Sequence, residues 1–213
     1  MNIFKKIWNK IYKKPSNPSN SPSELNIWAT MYYIPKMTSD GKGYDLLDRK
    51  GKKLGPKLSK DKFCKLAMEG TGEIDGVIYG YAGKSSKKQV DCKYKASGYA
   101  RFKKDTNKYG TGVRNYPLIP FKSIAVDKKL IPYGSKVYIA KAKGCVYYFE
   151  GEKIIHDGIF YAHDTGGLIK GNHIDVFLGT VNNGYKGASK INPFPFIKST
   201  PKKTYKAIIY PPE

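Results

Sequence analysis

The sequence predicts a mainly β domain carrying a small α/β insertion, on three observations. Short apolar runs rich in β-formers recur along the chain, separated by turn residues. The 213 residues include 22 Gly, 13 Pro and 18 Tyr, a composition suited to many short strands and turns. One segment carries helix signals at both of its ends. With 40% hydrophobic residues the chain can bury the core of one sizeable domain. No internal repeat is visible, and no apolar run reaches the ~18–20 residues of a membrane-spanning helix.

Taken in order, residues 1–14 form a basic amphipathic segment. Ile3, Phe4, Ile7, Trp8, Ile11 and Tyr12 fall on one helical stripe, with lysines opposite. Such a stripe fits a membrane-surface or partner-docking helix, or a helix packed on its own domain. Residues 15–24, PSNPSNSPSE, have the composition of a flexible linker. The folded domain is expected over 25–213, with an insertion at about 36–116. Leu25–Ile34 reads as a strand stopping at Pro35. Ser59 caps a helix to about Glu69, with Phe63, Leu66 and Ala67 facing inward and Gly70 beyond its end. Asp75-Gly76 marks a tight turn between TGEI and VIYGYA. Residues 83–116, rich in Lys, Gly and Ser, are expected to be irregular. From Pro117 onward short strands dominate: SIAVD, KVYIA, VYYFE, GIFYAHD, HIDVFLG and TYKAIIY.

Lysine and arginine number 39 against 17 acids, a formal net charge of +22. Such a field draws polyanions but specifies no fold. An anionic membrane surface and the bacterial wall, with its peptide carboxylates and anionic polymers, both fit, as does a plain solvated lysine surface. A specific nucleic-acid partner is not expected, since no zinc-finger spacing, RNA-recognition signature or helix-turn-helix occurs. Cys64, Cys92 and Cys145 form no CxxC, which argues against a zinc ribbon. Their odd number permits one disulfide with a free thiol, or three free thiols. The N-terminus is charged but lacks the apolar run of a standard secretory signal.

The chemistry points to Ile124–Gly179. Asp127, Asp164 and Asp175 each follow or sit within an apolar strand-like segment, where an unpaired carboxylate is costly to bury. Thr165-Gly166-Gly167 lets the chain turn sharply after Asp164. Alternation along HIDVF puts His173, Asp175 and Phe177 on one face, with Ile174 and Val176 on the other. A cysteine hydrolase built from Cys64, His163 and Asn172 is the weaker reading, because separated residues of these types occur in most chains. His173 and Asp175 share a strand face, and His163 and Asp164 lie nearby. The pattern lacks a third spaced ligand, so no metal is expected.

Asp164-Thr165-Gly166-Gly167-Leu168-Ile169-Lys170-Gly171, followed by Ile174-Asp175, resembles the DTGGxIKGxxxD signature of the 3D domain. That domain is shared by MltA-type lytic transglycosylases and stationary-phase muralytic proteins. Ala125-Val126-Asp127 with Leu130-Ile131-Pro132-Tyr133-Gly134 resembles the same family's AVDPxxIPxG motif. Ala29-Thr30-Met31-Tyr32-Tyr33 is similar to its groove-lining strand. The resemblance implies a six-stranded double-psi β-barrel and a cofactor-free lytic transglycosylase acting on peptidoglycan glycan strands. In it Asp175 is the general acid and then base, with Asp164 beside it and Asp127 as the third carboxylate. Thr30 stands near the sugar, Lys170 contacts the substrate or tunes Asp175, and Thr165 and His173 complete the substrate contacts. Tyr32, Tyr33, Tyr116, Tyr161 and Phe177 are candidates for stacking on sugar rings, against a default of core packing.

A Cys64–Cys92 disulfide follows from the likeness of FCxxAMEG and VDC to larger 3D-domain proteins. Three departures stand out: His163 before the aspartate, the long insertion, and no large second domain unless residues 36–116 replace it. A monomer working in the bacterial envelope, in periplasm or wall, is expected. The non-enzymatic alternative is an expansin-like barrel that binds wall polysaccharide without cleaving it.

Overall fold

One strand organises the molecule. In the computed structural model, which describes residues 21–212, β1 (Ser23–Met37) continues through Pro35 rather than stopping there. Proline has no amide to donate, and β1 takes it just past a bulge between Tyr32 and Ile34, where its ladder is already irregular. At the other end Ser23 and Glu24, expected in the linker, pair with Ile209 and Ile208. The amphipathic segment 1–14 and linker residues 15–20 lie outside the described residues.

After β1 come β2 (Tyr44–Leu47), β3 (Lys53–Leu58), helix α1 (Lys60–Glu69), β4 (Thr71–Ile74), β5 (Val77–Lys84) and β6 (Ala100–Lys104). Then follow β7 (Ser123–Ala125), β8 (Lys136–Tyr138), β9 (Val146–Phe149), β10 (Glu152–Ile155) and β11 (Ile159–Asp164). The chain ends with β12 (His173–Val181), helix α2 (Gly184–Ile191) and β13 (Tyr205–Tyr210).

Six of these strands pair in a closed ring, in the order β1–β12–β7–β11–β8–β13 and back to β1. The β1–β12 and β7–β11 pairs are parallel and the others antiparallel. Closure leaves these strands no free edge. Inward residues from each strand fill the ring: Ile27 and Ala29 on β1, Ile124 on β7, Val137 on β8, Phe160 on β11, Ile174 and Val176 on β12, Ala207 and Ile209 on β13.

The insertion has its own core of Leu46, Leu58, Phe63, Leu66, Ile74, Tyr79 and Phe102. Helix α1 starts after Ser59 and ends on Gly70, whose left-handed φ of 80° closes the last turn. Asp75 and Gly76 both take positive φ, 49° and 80°, as a two-residue hairpin turn of the twisted type requires. β4 pairs with the end of β1 at Lys36↔Glu73 and Met37↔Ile74, so β1 belongs to both halves. Residues 83–116 are not all irregular: β6 lies there, held to β5 from Tyr79↔Lys104 to Lys84↔Ala100. The hairpin β2–β3 and helix α2 also have no counterpart in the sequence reading. These runs are only four to eight residues long, too short for a periodicity to stand out, and tertiary contacts decide them.

Cys64 and Cys92 are joined, with Cα atoms 5.6 Å apart across 28 residues of sequence. Reducing this bond is expected to weaken the insertion by about 3 kcal/mol. Hydrogen exchange with and without reductant should speed the amides of α1 and β6 while leaving the ring unchanged; an equal effect in both halves would contradict this.

Candidate active site

Parallel register between β1 and β12 sets Thr30 opposite Asp175. The pairs Trp28/His173, Thr30/Asp175 and Tyr32/Phe177 share one face, while Ala29/Ile174 and Met31/Val176 turn to the ring core. The Trp28 indole stacks on the His173 imidazole at 3.5 Å and 5°. Thr30 Oγ1 donates to Asp175 Oδ1 at 2.8 Å and lies 2.8 Å from His173 Nε2. The Tyr32 ring centroid is 5.1 Å from that of Phe177, and its hydroxyl donates to Asp164 Oδ2 at 2.8 Å.

Thr30 has one hydroxyl proton for two partners. With Asp175 ionised the proton goes to the carboxylate and His173 must offer Nε2–H. With Asp175 protonated, the carboxyl can donate to Thr30 and Thr30 to His173. The charge of Asp175 and the tautomer of His173 are thereby linked.

Ala125 on β7 brings the two aspartates to one level. It pairs with Asp175 on β12 at one edge and with Asp164 on β11 at the other. Directly paired residues point to the same side, so both carboxyls flank a methyl group small enough to leave space between them. Two strand spacings put their backbones roughly 10 Å apart. A bulge between Ala162 and Asp164 displaces His163, which stacks instead on Tyr116 at 4.7 Å and on Tyr161 at 5.3 Å.

Burial is the largest cause raising the Asp175 carboxyl to about 7; the Thr30 hydrogen bond opposes it, and the charges of Glu69 and Asp164 add to it. Burial also raises Asp164, against the Thr165 amide at 2.9 Å and the Tyr32 hydroxyl. Burial lowers His173, which favours its neutral ring.

The other candidate residues take different parts. The Asp127 carboxylate accepts from the amides of Lys129 at 3.0 Å and Gly171 at 2.9 Å, which hold its pKa down. It fastens the loop after β7 to the turn before β12 and does not join the aspartate pair. Lys170 is exposed, and its charge acts on Asp127. Tyr33 turns to the ring core, with the Lys65 ammonium 5.7 Å from its ring. Thr165 stands at the rim, its hydroxyl directed to the Val126 carbonyl at 3.4 Å. Cys64 is bonded to Cys92 and holds no free thiol for nucleophilic work.

The other carboxylate acting on Asp175, beside Asp164, is Glu69, which no sequence motif above singles out. It ends α1 and lines a cleft of about 530 Å³ together with Thr71, Asp164, Thr165 and Gly167. The signal lay in FCxxAMEG, where Gly70 fixes the helix end and so the position of Glu69.

Residues 122–192 match the 3D domain family. The cell wall-binding protein YocH of Bacillus subtilis (strain 168) is 49% identical over 57 residues, covering 27% of this chain and 15% of its own length. YabE of the same organism, named for cell wall shaping, is 38% identical over 81 residues, covering 38% of this chain and 16% of its own. The chain thus spans only a small part of these curated relatives. Among solved structures, the membrane-bound lytic murein transglycosylase of Agrobacterium tumefaciens gives a TM-score of 0.58 at 14% identity, over 88% of this chain and 76% of that one. E. coli MltA with bound chitohexaose gives 0.53 at 19% identity, over 87% and 71%.

The raised Asp175 has a consequence for stability. Between the ordinary carboxyl value of 3.8 and about 7 the folded state holds a proton that the unfolded chain has released, so stability falls as pH rises through that window. Asp175→Asn removes the charge and is expected to exceed the parent by about 3–4 kcal/mol at pH 8, with no gain near pH 3.5. Denaturant unfolding at both pH values tests this, and an equal difference at the two would contradict it.

Proposed function

We propose that this chain, a 3D-domain protein with the fold of the MltA lytic transglycosylases, cleaves the β-1,4 bond between N-acetylmuramic acid and N-acetylglucosamine in peptidoglycan. The six-stranded ring is read as a double-psi β-barrel, and the work is placed in the bacterial envelope. The observation that carries the reading is Asp175: a strand-borne carboxyl raised to about 7, held by Thr30, with Asp164 at the same level of the ring.

A single carboxyl suffices if the sugar supplies its own nucleophile. Protonated Asp175 gives its proton to the glycosidic oxygen as the bond to the anomeric carbon breaks. The C6 hydroxyl of the same muramic sugar then attacks that carbon and returns a proton to Asp175. The products are a free sugar hydroxyl and a 1,6-anhydro ring; no water is consumed. Asp164, hydrogen-bonded by Tyr32 and Thr165, faces the positive charge that develops at the anomeric carbon. Thr30 and His173 orient the acid, and Thr165 at the cleft rim contacts the glycan.

A second reading is a wall-binding module without cleavage, favoured by the name of YocH, a cell wall-binding protein. Both readings are separated by incubating purified sacculi with the protein and analysing soluble muropeptides by mass spectrometry. The parent is expected to release 1,6-anhydromuramyl fragments, with a rate that falls above about pH 7 as Asp175 loses its proton. Asp175→Asn is expected to lower release by roughly 10³-fold. Release near the parental rate would rule out the role of Asp175; binding by the parent with no product would select the module.

A further inference from the structure

The cleft lined by Asp164 continues onto the insertion. Its outer wall includes Thr71 on β4, Gly80, Tyr81 and Lys84 on β5, and Lys103 on β6. Strand pairing aligns Thr71, Gly80 and Lys103 side by side across the three strands. Gly80 raises no side chain of its own between its two neighbours. A Cβ at that position would stand 3.6 Å from Asp105 Oδ2 and 3.8 Å from Thr71 Oγ1. Asp105 accepts from the Thr111 hydroxyl and the Asn107 backbone amide, both at 2.9 Å and both through Oδ1, and turns Oδ2 toward Gly80. Lys84 and Lys103 are exposed and make no ion pair among the described residues. Two cations without an ion-pair partner among the described residues therefore share the cleft with the carboxyls of Glu69, Asp105 and Asp164.

We propose that Lys84 and Lys103 form a carboxylate-binding subsite for the peptide stems of a wall glycan, so that the protein selects peptide-bearing over bare strands. The inference rests on the glycan-cleaving reading and adds its substrate class. The sugars of such a strand are uncharged apart from the lactyl group of the muramic unit, whose carboxyl is an amide while the peptide is attached. The free carboxylates lie in the peptide, which hangs from the same sugar whose anomeric carbon is attacked. A glycan seated beside Asp175 thus carries its charges off to one side, where the insertion supplies mobile ammonium groups suited to flexible carboxylates. Contacts made at exposed lysines are individually weak. They act on ground state and transition state alike, and so govern KM rather than kcat.

The test uses the full chain bearing Asp175→Asn, with calorimetric titration of three glycans: peptide-bearing strands, amidase-stripped strands that keep only the lactyl carboxylate, and neutral chitin oligomers. Peptide-bearing strands are expected to bind roughly tenfold more tightly than stripped ones. Adding Lys84→Gln and Lys103→Gln is expected to abolish that preference, whereas Lys186→Gln with Lys190→Gln on α2 keeps it. Equal affinity for peptide-bearing and stripped strands overturns the subsite and assigns any remaining gain over chitin to the lactyl carboxylate. Equal loss from the α2 pair overturns it as general charge attraction. Absence of anhydro product from the parent on every glycan defeats the cleavage reading alone, since the preference is still read from binding.

Discussion

The parallel register of β1 against β12 is the constraint on which the rest of the site depends. It stacks Trp28 on His173, sets Thr30 against Asp175 and lays Tyr32 on Phe177, while the residues between them fill the ring. A slip of one residue would exchange the two faces, placing Asp175 in the apolar core and Ile174 in the site. Ring closure guards against that slip, because β1 is held by β13 on its other edge and β12 by β7. Stability and function therefore draw on the same pairing.

The electrostatics follow from that geometry. A carboxyl fixed among buried groups keeps its proton into the neutral range, and the same burial makes its ionised form a burden on the fold. The neighbours divide the task between them. Thr30 favours the charged form by donating to it, and Glu69 and Asp164 disfavour it by like charge. An acid with this balance exchanges a proton readily near neutrality, as acid–base catalysis in both directions requires.

Much of this was legible in the chain. Alternation along HIDVF placed Asp175 opposite the aliphatic pair, and DTGG located the turn that positions Asp164. Asp75-Gly76 marked its hairpin. The misses have physical causes. A strand through Pro35 was unexpected because its tolerance depends on a nearby bulge that pairing creates. Asp127 reads as a third site carboxylate, since residue type alone cannot tell a loop fastener from a reactive acid; in the structure its carboxylate is held by two backbone amides. Glu69 was passed over because its nearness to the aspartates arises from packing between halves far apart in sequence, which no local pattern records. His163 next to Asp164 invited a chemical reading, yet the bulge rotates it into an aromatic stack.

β1 is shared by ring and insertion, and this gives the cleft a mechanical character. The insertion is cantilevered on a hydrogen-bonded strand rather than strung from a loose tether, so its far wall stands at a set height above the aspartates. The weak point of that beam is the bulge between Tyr32 and Ile34. Any flexing that widens the jaw would bend there, and Tyr32 would be dragged along with its grip on Asp164. The one hinge-like irregularity of the shared strand thus lies beside the residue that hydrogen-bonds Asp164.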